Sequence, residues 1–234
     1  MNIKKAVVIL PCLNEERTVG EVIKKLKKVS ESLNIKIIIL GVDDHSDDLT
    51  YEILKNNSNK SIRFKKRVSL SKVVKKGIEE SLKYNSDIII HIDSDGQYDP
   101  LQLPKLIKEM ERKKLDMIIG VRDIKNLKHM SKMKKIGNQV FSKLVSILIN
   151  QKLKDTQSGF RIIKSEILKD IKIISTYTYT QEEIMRAKKL GAKIGEVSIK
   201  FSKRKHGKSR LIRHEFIYGV RAFIDIIKVM INTI

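Results

Sequence analysis

Short apolar runs alternate with amphipathic segments through the first half of this 234-residue chain, and that alternation limits its fold more than any other feature. Ala6–Leu10, Lys36–Val42, Asp87–Ile92 and Met117–Val121 read as strands, as does the shorter Ser61–Lys65. Between them, Thr18–Leu33 places Val19, Val22, Ile23, Leu26 and Val29 on one helical face. Leu49–Asn56, Ser71–Tyr84 and Leu101–Lys113 read as further helices. Strands that are apolar on both sides, each followed by a helix, predict an α/β fold: a mostly parallel sheet with helices on both faces.

In such sheets ligands bind beyond the carboxyl ends of the strands. The polar motifs fall there. His91-Ile92-Asp93-Ser94-Asp95-Gly96-Gln97 leaves the apolar run Asp87–Ile90. Residues i and i+2 of a strand share a side, so Asp93 and Asp95 can reach one point. Two hard oxygen donors there suit Mg²⁺ or Mn²⁺ holding a diphosphate. The same residues also make a polar strand-to-loop turn. Pro11-Cys12-Leu13-Asn14-Glu15 follows the first strand, where Pro11 ends the ladder and Asn14 is placed to cap the next helix. Val42-Asp43-Asp44-His45-Ser46-Asp47-Asp48 follows the second; Ser46–Asp48 suffice as a cap, which leaves Asp43 and Asp44 free to accept from a ribose hydroxyl or a base N–H. The chain has no Gly-x-Gly-x-x-Gly and no P-loop.

The second half is less regular. Ser131–Asn150, Ser165–Ile171, Gln181–Leu190 and Glu215–Ile231 read as helices and Lys193–Ile199 as a strand. Asp155–Arg161 is a turn-rich loop and Ser202–Arg210 a basic one. The division expected is one domain over residues 1–212 and an amphipathic C-terminal helix over 213–234.

Lys and Arg number 49 against 27 Asp and Glu, a formal net charge of +22. That charge favours phosphate-rich partners. Cys12 is the only cysteine, which excludes an intramolecular disulfide and fits a reducing compartment; it reads as a buried filler. There is no signal-peptide layout, and no run approaches the roughly 18 apolar residues of a spanning helix.

Pro-x-x-Asn-Glu, then Val-Asp-Asp-x-Ser-x-Asp, then Asp-x-Asp-Gly-Gln-x-x-Pro resembles, in that order, the family 2 glycosyltransferases of the GT-A fold. Ser158-Gly159-Phe160-Arg161 and Arg204-Lys205-His206-Gly207-Lys208-Ser209 are similar to the branch holding dolichol-phosphate mannose synthase and related polyprenyl-phosphate glycosyltransferases. The likeness spans roughly residues 5–212. It implies that Pro11, Leu13, Glu15, Val42 and Asp44 border the base and ribose, with Asp93 and Ser94 also on the nucleotide. Asp93, Asp95 and Gln97 would face the metal, Mg²⁺ or Mn²⁺. Asp95, Arg122 and Glu182 would serve catalysis at the sugar. Ser158, Arg161, Arg204 and Arg210 would bind acceptor or phosphate. His45 stands where the family has glycine or another small residue, and Ser69 and Ser71 stand where it has two glycines.

The reaction implied is inverting transfer of a hexose from a nucleotide diphosphate sugar to dolichyl or another polyprenyl phosphate. GDP-mannose is the first donor implied, with UDP-glucose and UDP-N-acetylglucosamine as alternatives. A phosphate acceptor is already anionic near pH 7 and needs little general base. The last helix sets Arg221, Asp225 and Lys228 in a polar stripe beside Phe223, Ile224, Ile227 and Ile231, and Ser131–Asn150 is similar. Such helices suit a bilayer interface or a protein partner, including a membrane-embedded subunit. The expected place is the cytoplasmic face of a membrane, held peripherally. A basic module binding nucleic acid or an anionic surface is the reading from another class. The 5% aromatic content and absence of Trp argue against nucleic acid. A non-catalytic binding subunit is the third.

Overall fold

The computed structural model describes residues 3–206 and 215–233. In chain order the elements are β1 (Lys5–Cys12), α1 (Val19–Leu33), β2 (Lys36–Asp43), α2 (Thr50–Asn57), β3 (Lys60–Arg63), α3 (Leu70–Ser81), β4 (Ile88–His91), α4 (Leu103–Arg112), β5 (Met117–Arg122), α5 (Lys132–Leu148), β6 (Arg161–Lys164), α6 (Ser165–Leu168), α7 (Tyr179–Lys189), β7 (Ile194–Ile199) and α8 (Glu215–Thr233). They confirm the predicted α/β alternation and the mostly parallel sheet. Strand order is β3-β2-β1-β4-β6-β5-β7.

Successive residues of β1 alternate between two cores. Ala6, Val8 and Leu10 face α1 and α4, with Val19, Leu26, Leu106 and Met110. Val7 and Ile9 face α3, α5, α7 and α8, with Val73, Val145, Ile184 and Ile226. Both sides of β1 and β4 are therefore dry, which is why their sequences read as continuous apolar runs. Each such side chain contributes roughly 1.5–3 kcal/mol on burial.

β6 differs from the sequence reading, which ran a loop to Arg161. It lies antiparallel between β4 and β5, pairing Arg161 with His91 on one side and Ile119 on the other. Four residues with two isoleucines carry too short a pattern to reveal a strand; the gap between β4 and β5 makes it one.

The C-terminal helix packs on the second core through one face. Ala222, Ile226 and Val229 of α8 are buried in the second core, while Phe223, Ile224, Ile227 and Ile231 face outward. α5 divides likewise, with Phe141 and Val145 inside and Met133, Ile136, Val140 and Ile147 outside. Among the described residues, no helix is long and apolar enough to cross a membrane.

Candidate active site

The loops after β1 and β2 interlock. Asn14 turns with a left-handed φ of 57°. Its N–H donates to Ser46 Oγ at 2.9 Å, and its side-chain oxygen accepts the Asp47 N–H at 2.9 Å. Asn14 thus pins one motif to the other rather than capping α1. Asp43, read as free, is fully buried and committed: it accepts the Ser46 N–H at 3.1 Å and pairs with Arg63. Asp44 is left at the cleft, accepting the Val68 N–H at 2.6 Å, and burial raises its pKa.

The substituted family positions have local explanations. His45 has a left-handed φ of 59°, a conformation glycine adopts freely, and its Nδ1 lies 3.2 Å from the Phe64 carbonyl. Ser69 is extended (φ −94°) and caps α3 by accepting the Lys72 N–H. Ser71 donates to the Ser175 carbonyl at 2.5 Å. The two serines therefore act as a cap and a tether without left-handed backbone.

A cleft of about 340 Å³ opens between these loops and the end of β4. Pro11, Leu13, Glu15, Asp44, Asp93, Ser94, Asp95 and Arg204 all line it. Ser94 is anchored by donating to the Pro11 carbonyl at 2.7 Å. Burial, together with the adjacent Asp95 carboxylate, raises the Asp93 pKa against the opposing pull of Arg161, Arg122 and Arg204. Arg204 reaches in from beyond β7: Nη2 lies 2.7 Å from Asp95 Oδ2 and Nη1 3.0 Å from Glu15 Oε1. Burial, and then Asp95, raise the Glu15 pKa although Arg204 opposes them. Arg122 is fixed by a two-pronged ion pair with Asp155, at 2.7 and 2.9 Å. Its guanidinium lies 5.3 Å from the centre of the Phe201 ring.

A family model described as Glycosyl transferase family 2 matches residues 7–172, which include the loops after β1, β2 and β4. The chain belongs to glycosyl transferase family 2. It is similar to a UDP-N-acetylglucosamine–dolichyl-phosphate N-acetylglucosaminyltransferase of Methanococcus voltae, 28% identical across 82% of this chain and 84% of the relative. It is similar also to a dolichol-phosphate mannosyltransferase of Pyrococcus furiosus, 29% identical across 88% of this chain and 59% of the relative. Among solved structures, glucosyl-3-phosphoglycerate synthase from Mycobacterium tuberculosis, in complex with Mn²⁺, UDP-glucose and phosphoglyceric acid, superimposes with a TM-score of 0.74. At 14% identity over 97% of this chain and 80% of that one, the likeness is one of fold. The chain is thus a glycosyltransferase of the GT-A-like architecture.

Several expected site residues do other work in this glycosyltransferase. Val42 is fully buried in the second core and does not line the cleft. Ser158 is fully buried, donating to the Gly120 carbonyl at 2.6 Å. Arg161, expected on acceptor phosphate, is 0% exposed. It points into the sheet's second face, with Nε 3.1 Å from Glu183 Oε1 and Nη1 2.8 Å from the Ser158 carbonyl. Glu182, expected at the sugar, is buried and accepts the N–H groups of Ile174 and Ser175, at 2.9 and 2.7 Å, and Arg186 Nε at 2.7 Å. It staples the segment that leads to Thr176 and Tyr177, which do line the cleft. The Gln97 amide nitrogen donates to the Ser202 carbonyl at 3.0 Å, so this side chain ties the Arg204 segment to the Asp95 loop. Arg210 lies outside the described residues.

Other contributors escaped the sequence reading. Val68, Leu70, Thr176 and Tyr177 wall the cleft; outside its lining, Asp155 clamps Arg122 and His91 faces Glu183. The paired acids Glu182-Glu183 were the one available signal for the last of these. Cys12 is buried at the cleft wall, and burial raises its thiol pKa, as suits a filler.

Gly159 shows how close the packing is. A Cβ there would lie 2.6 Å from Asp93 Oδ2. Gly159→Ala is expected to displace that carboxylate and lower transferase activity at least about tenfold, a barrier increase of about 1.4 kcal/mol. Its thermal melting should stay cooperative. Activity within twofold of wild type would show that Asp93 need not keep this position.

Proposed function

We propose that this glycosyltransferase moves a hexose, with inversion, from a nucleotide diphosphate sugar to a polyprenyl phosphate, with Mg²⁺ or Mn²⁺ at Asp93 and Asp95. The observation that carries the reading is the convergence of Asp93, Asp95 and Arg204 on one cleft beyond the sheet. The donor set fits such an ion. Two carboxylates crowd each other, and among the described residues no group of three or more His, Cys, Asp or Glu encloses a metal. Mg²⁺-type sites use one or two carboxylates and leave positions for phosphate oxygens and water. A bound ion would supply charge neutralisation at the leaving diphosphate. Asp44, with its interlocked loops, holds the nucleoside end. Arg122, clamped by Asp155, presents a fixed cation near Asp93.

The acceptor reading draws on the two dolichyl-phosphate transferases named above and on the outward apolar faces of α5 and α8. In our proposal these faces hold the enzyme peripherally on the cytoplasmic side of a membrane, where the acceptor tail is buried. Mannose from GDP-mannose is the donor favoured, and the Methanococcus relative makes UDP-N-acetylglucosamine the second choice. Labelled GDP-mannose, UDP-glucose and UDP-N-acetylglucosamine, each supplied with a polyprenyl phosphate in vesicles and Mn²⁺, test this. One donor should yield a lipid-linked product that disappears with EDTA. Transfer to water alone, or none from any donor, would overturn the acceptor reading.

A further inference from the structure

We infer that Arg204 is a built-in counter-cation for the metal-site carboxylates, and that it couples divalent-cation binding to diphosphate binding. The inference rests on Asp93 and Asp95 as the metal ligands.

Both oxygens of Asp95 are engaged within the protein. Oδ2 receives Arg204 Nη2 at 2.7 Å, and Oδ1 accepts the Gln97 N–H at 3.0 Å. The other arm of Arg204 holds Glu15, a carboxylate that burial alone would drive toward its neutral form. Guanidinium stays charged at any relevant pH, so it cannot make way by losing a proton. A divalent ion on Asp95 must therefore displace Nη2 or sit against a like charge.

Leaving on its own would strand Arg204 and leave Glu15 with only the Thr18 hydroxyl, 3.2 Å from Oε2. A diphosphate removes that obstacle, because two of its oxygens offer the planar guanidinium a two-pronged anionic acceptor. The resting pose is also incomplete: Arg204 Nε is buried and has no hydrogen-bond partner among the described residues, and a phosphate oxygen would satisfy it. The backbone allows the exchange to be a side-chain event. Ser202 N–H donates to the Gln97 carbonyl at 2.9 Å, and the Gln97 amide returns a bond to the Ser202 carbonyl. The strand-end segment is thus anchored two residues before Arg204. Cation and diphosphate then bind as a linked pair, and each strengthens the other by the same factor.

Two binding measurements test this without turnover. Free Mn²⁺ is followed by electron paramagnetic resonance in titrations of wild type, Arg204→Gln and Arg204→Met without nucleotide. Labelled UDP and GDP are followed by equilibrium dialysis with and without Mn²⁺. Wild type should bind Mn²⁺ weakly alone, and Mn²⁺ should tighten its better nucleotide about tenfold or more. Both variants, folded by their melting curves, should bind Mn²⁺ alone about tenfold more tightly than wild type, and Mn²⁺ should tighten their nucleotide less than it does in wild type, the remainder being the direct contact of ion and diphosphate. Variants that bind Mn²⁺ alone no better than wild type overturn the counter-cation role. A wild type whose nucleotide binding ignores Mn²⁺, or an Asp95→Asn variant that keeps the Mn²⁺ effect, overturns the metal assignment instead.

Discussion

Asp95→Asn is expected to reduce sugar transfer about a thousandfold or more while the protein remains folded. The substitution keeps side-chain size and removes one charge. Asp95 is the carboxylate that faces both the proposed metal position and Arg204. Loss of a single preorganised electrostatic contact at a developing charge costs on the order of 10²–10³ in rate. Here the loss of the charge also weakens cation binding, which adds to that cost. Folding should survive, because Asp95 sits at a cleft wall and Arg204 retains Glu15. Initial rates with labelled donor at saturating Mn²⁺, beside a thermal melt, make the measurement. A rate within tenfold of wild type would remove Asp95 from the leaving-group site.

Arg161→Met is expected to cost about 3–5 kcal/mol of stability, the usual penalty for stranding a buried charge. Arg161 and Glu183 are both fully buried, and the Glu183 carboxylate also faces His91 Nε2 at 3.2 Å. Urea unfolding at neutral pH measures the loss. Arg161→Met combined with Glu183→Gln should be less destabilised than Arg161→Met alone, since the uncompensated carboxylate is gone. If the double variant is worse by the sum of the two single effects, the pair is not coupled.

The same pair predicts a pH dependence. Burial pushes Glu183 up, but Arg161 and then His91 outweigh it and hold its pKa down at about 2. An unfolded glutamate titrates near about 4.3. Glu183 therefore binds its proton more readily in the unfolded chain. Its contribution is fully present above the unfolded value and fades as pH falls toward about 2. Part of wild type's stability loss over that window should be missing in Glu183→Gln.

The strands, their order of motifs and the carboxylates at the end of β4 were legible because they depend on local chemistry. A dry two-faced strand must be apolar throughout, and polar residues at its carboxyl end are then conspicuous. Glu182 and Arg161 meet partners that the sequence does not show, for a shared reason. A helix or a loop shows its charges, but not the buried partner each one meets. For Arg161 that partner is Glu183, brought over by α7 when β6 fills the sheet. For Glu182 it is a pair of backbone N–H groups at Ile174 and Ser175. Ser158 and Val42 lay close to the right loops yet faced into the fold.

By itself, the sequence determined the α/β alternation, the strand-end cleft and the Asp93–Asp95 pair, all properties of residues near one another in the chain. Only the tertiary structure decided which charges remain at the cleft. It buried Arg161 against Glu183 and brought Arg204 across 109 residues to Asp95. Whether an ionic side chain serves the core or the ligand depends on what packs against it, and that follows from the place of β6 in the sheet and from the meeting of Arg204 with Asp95 and Glu15.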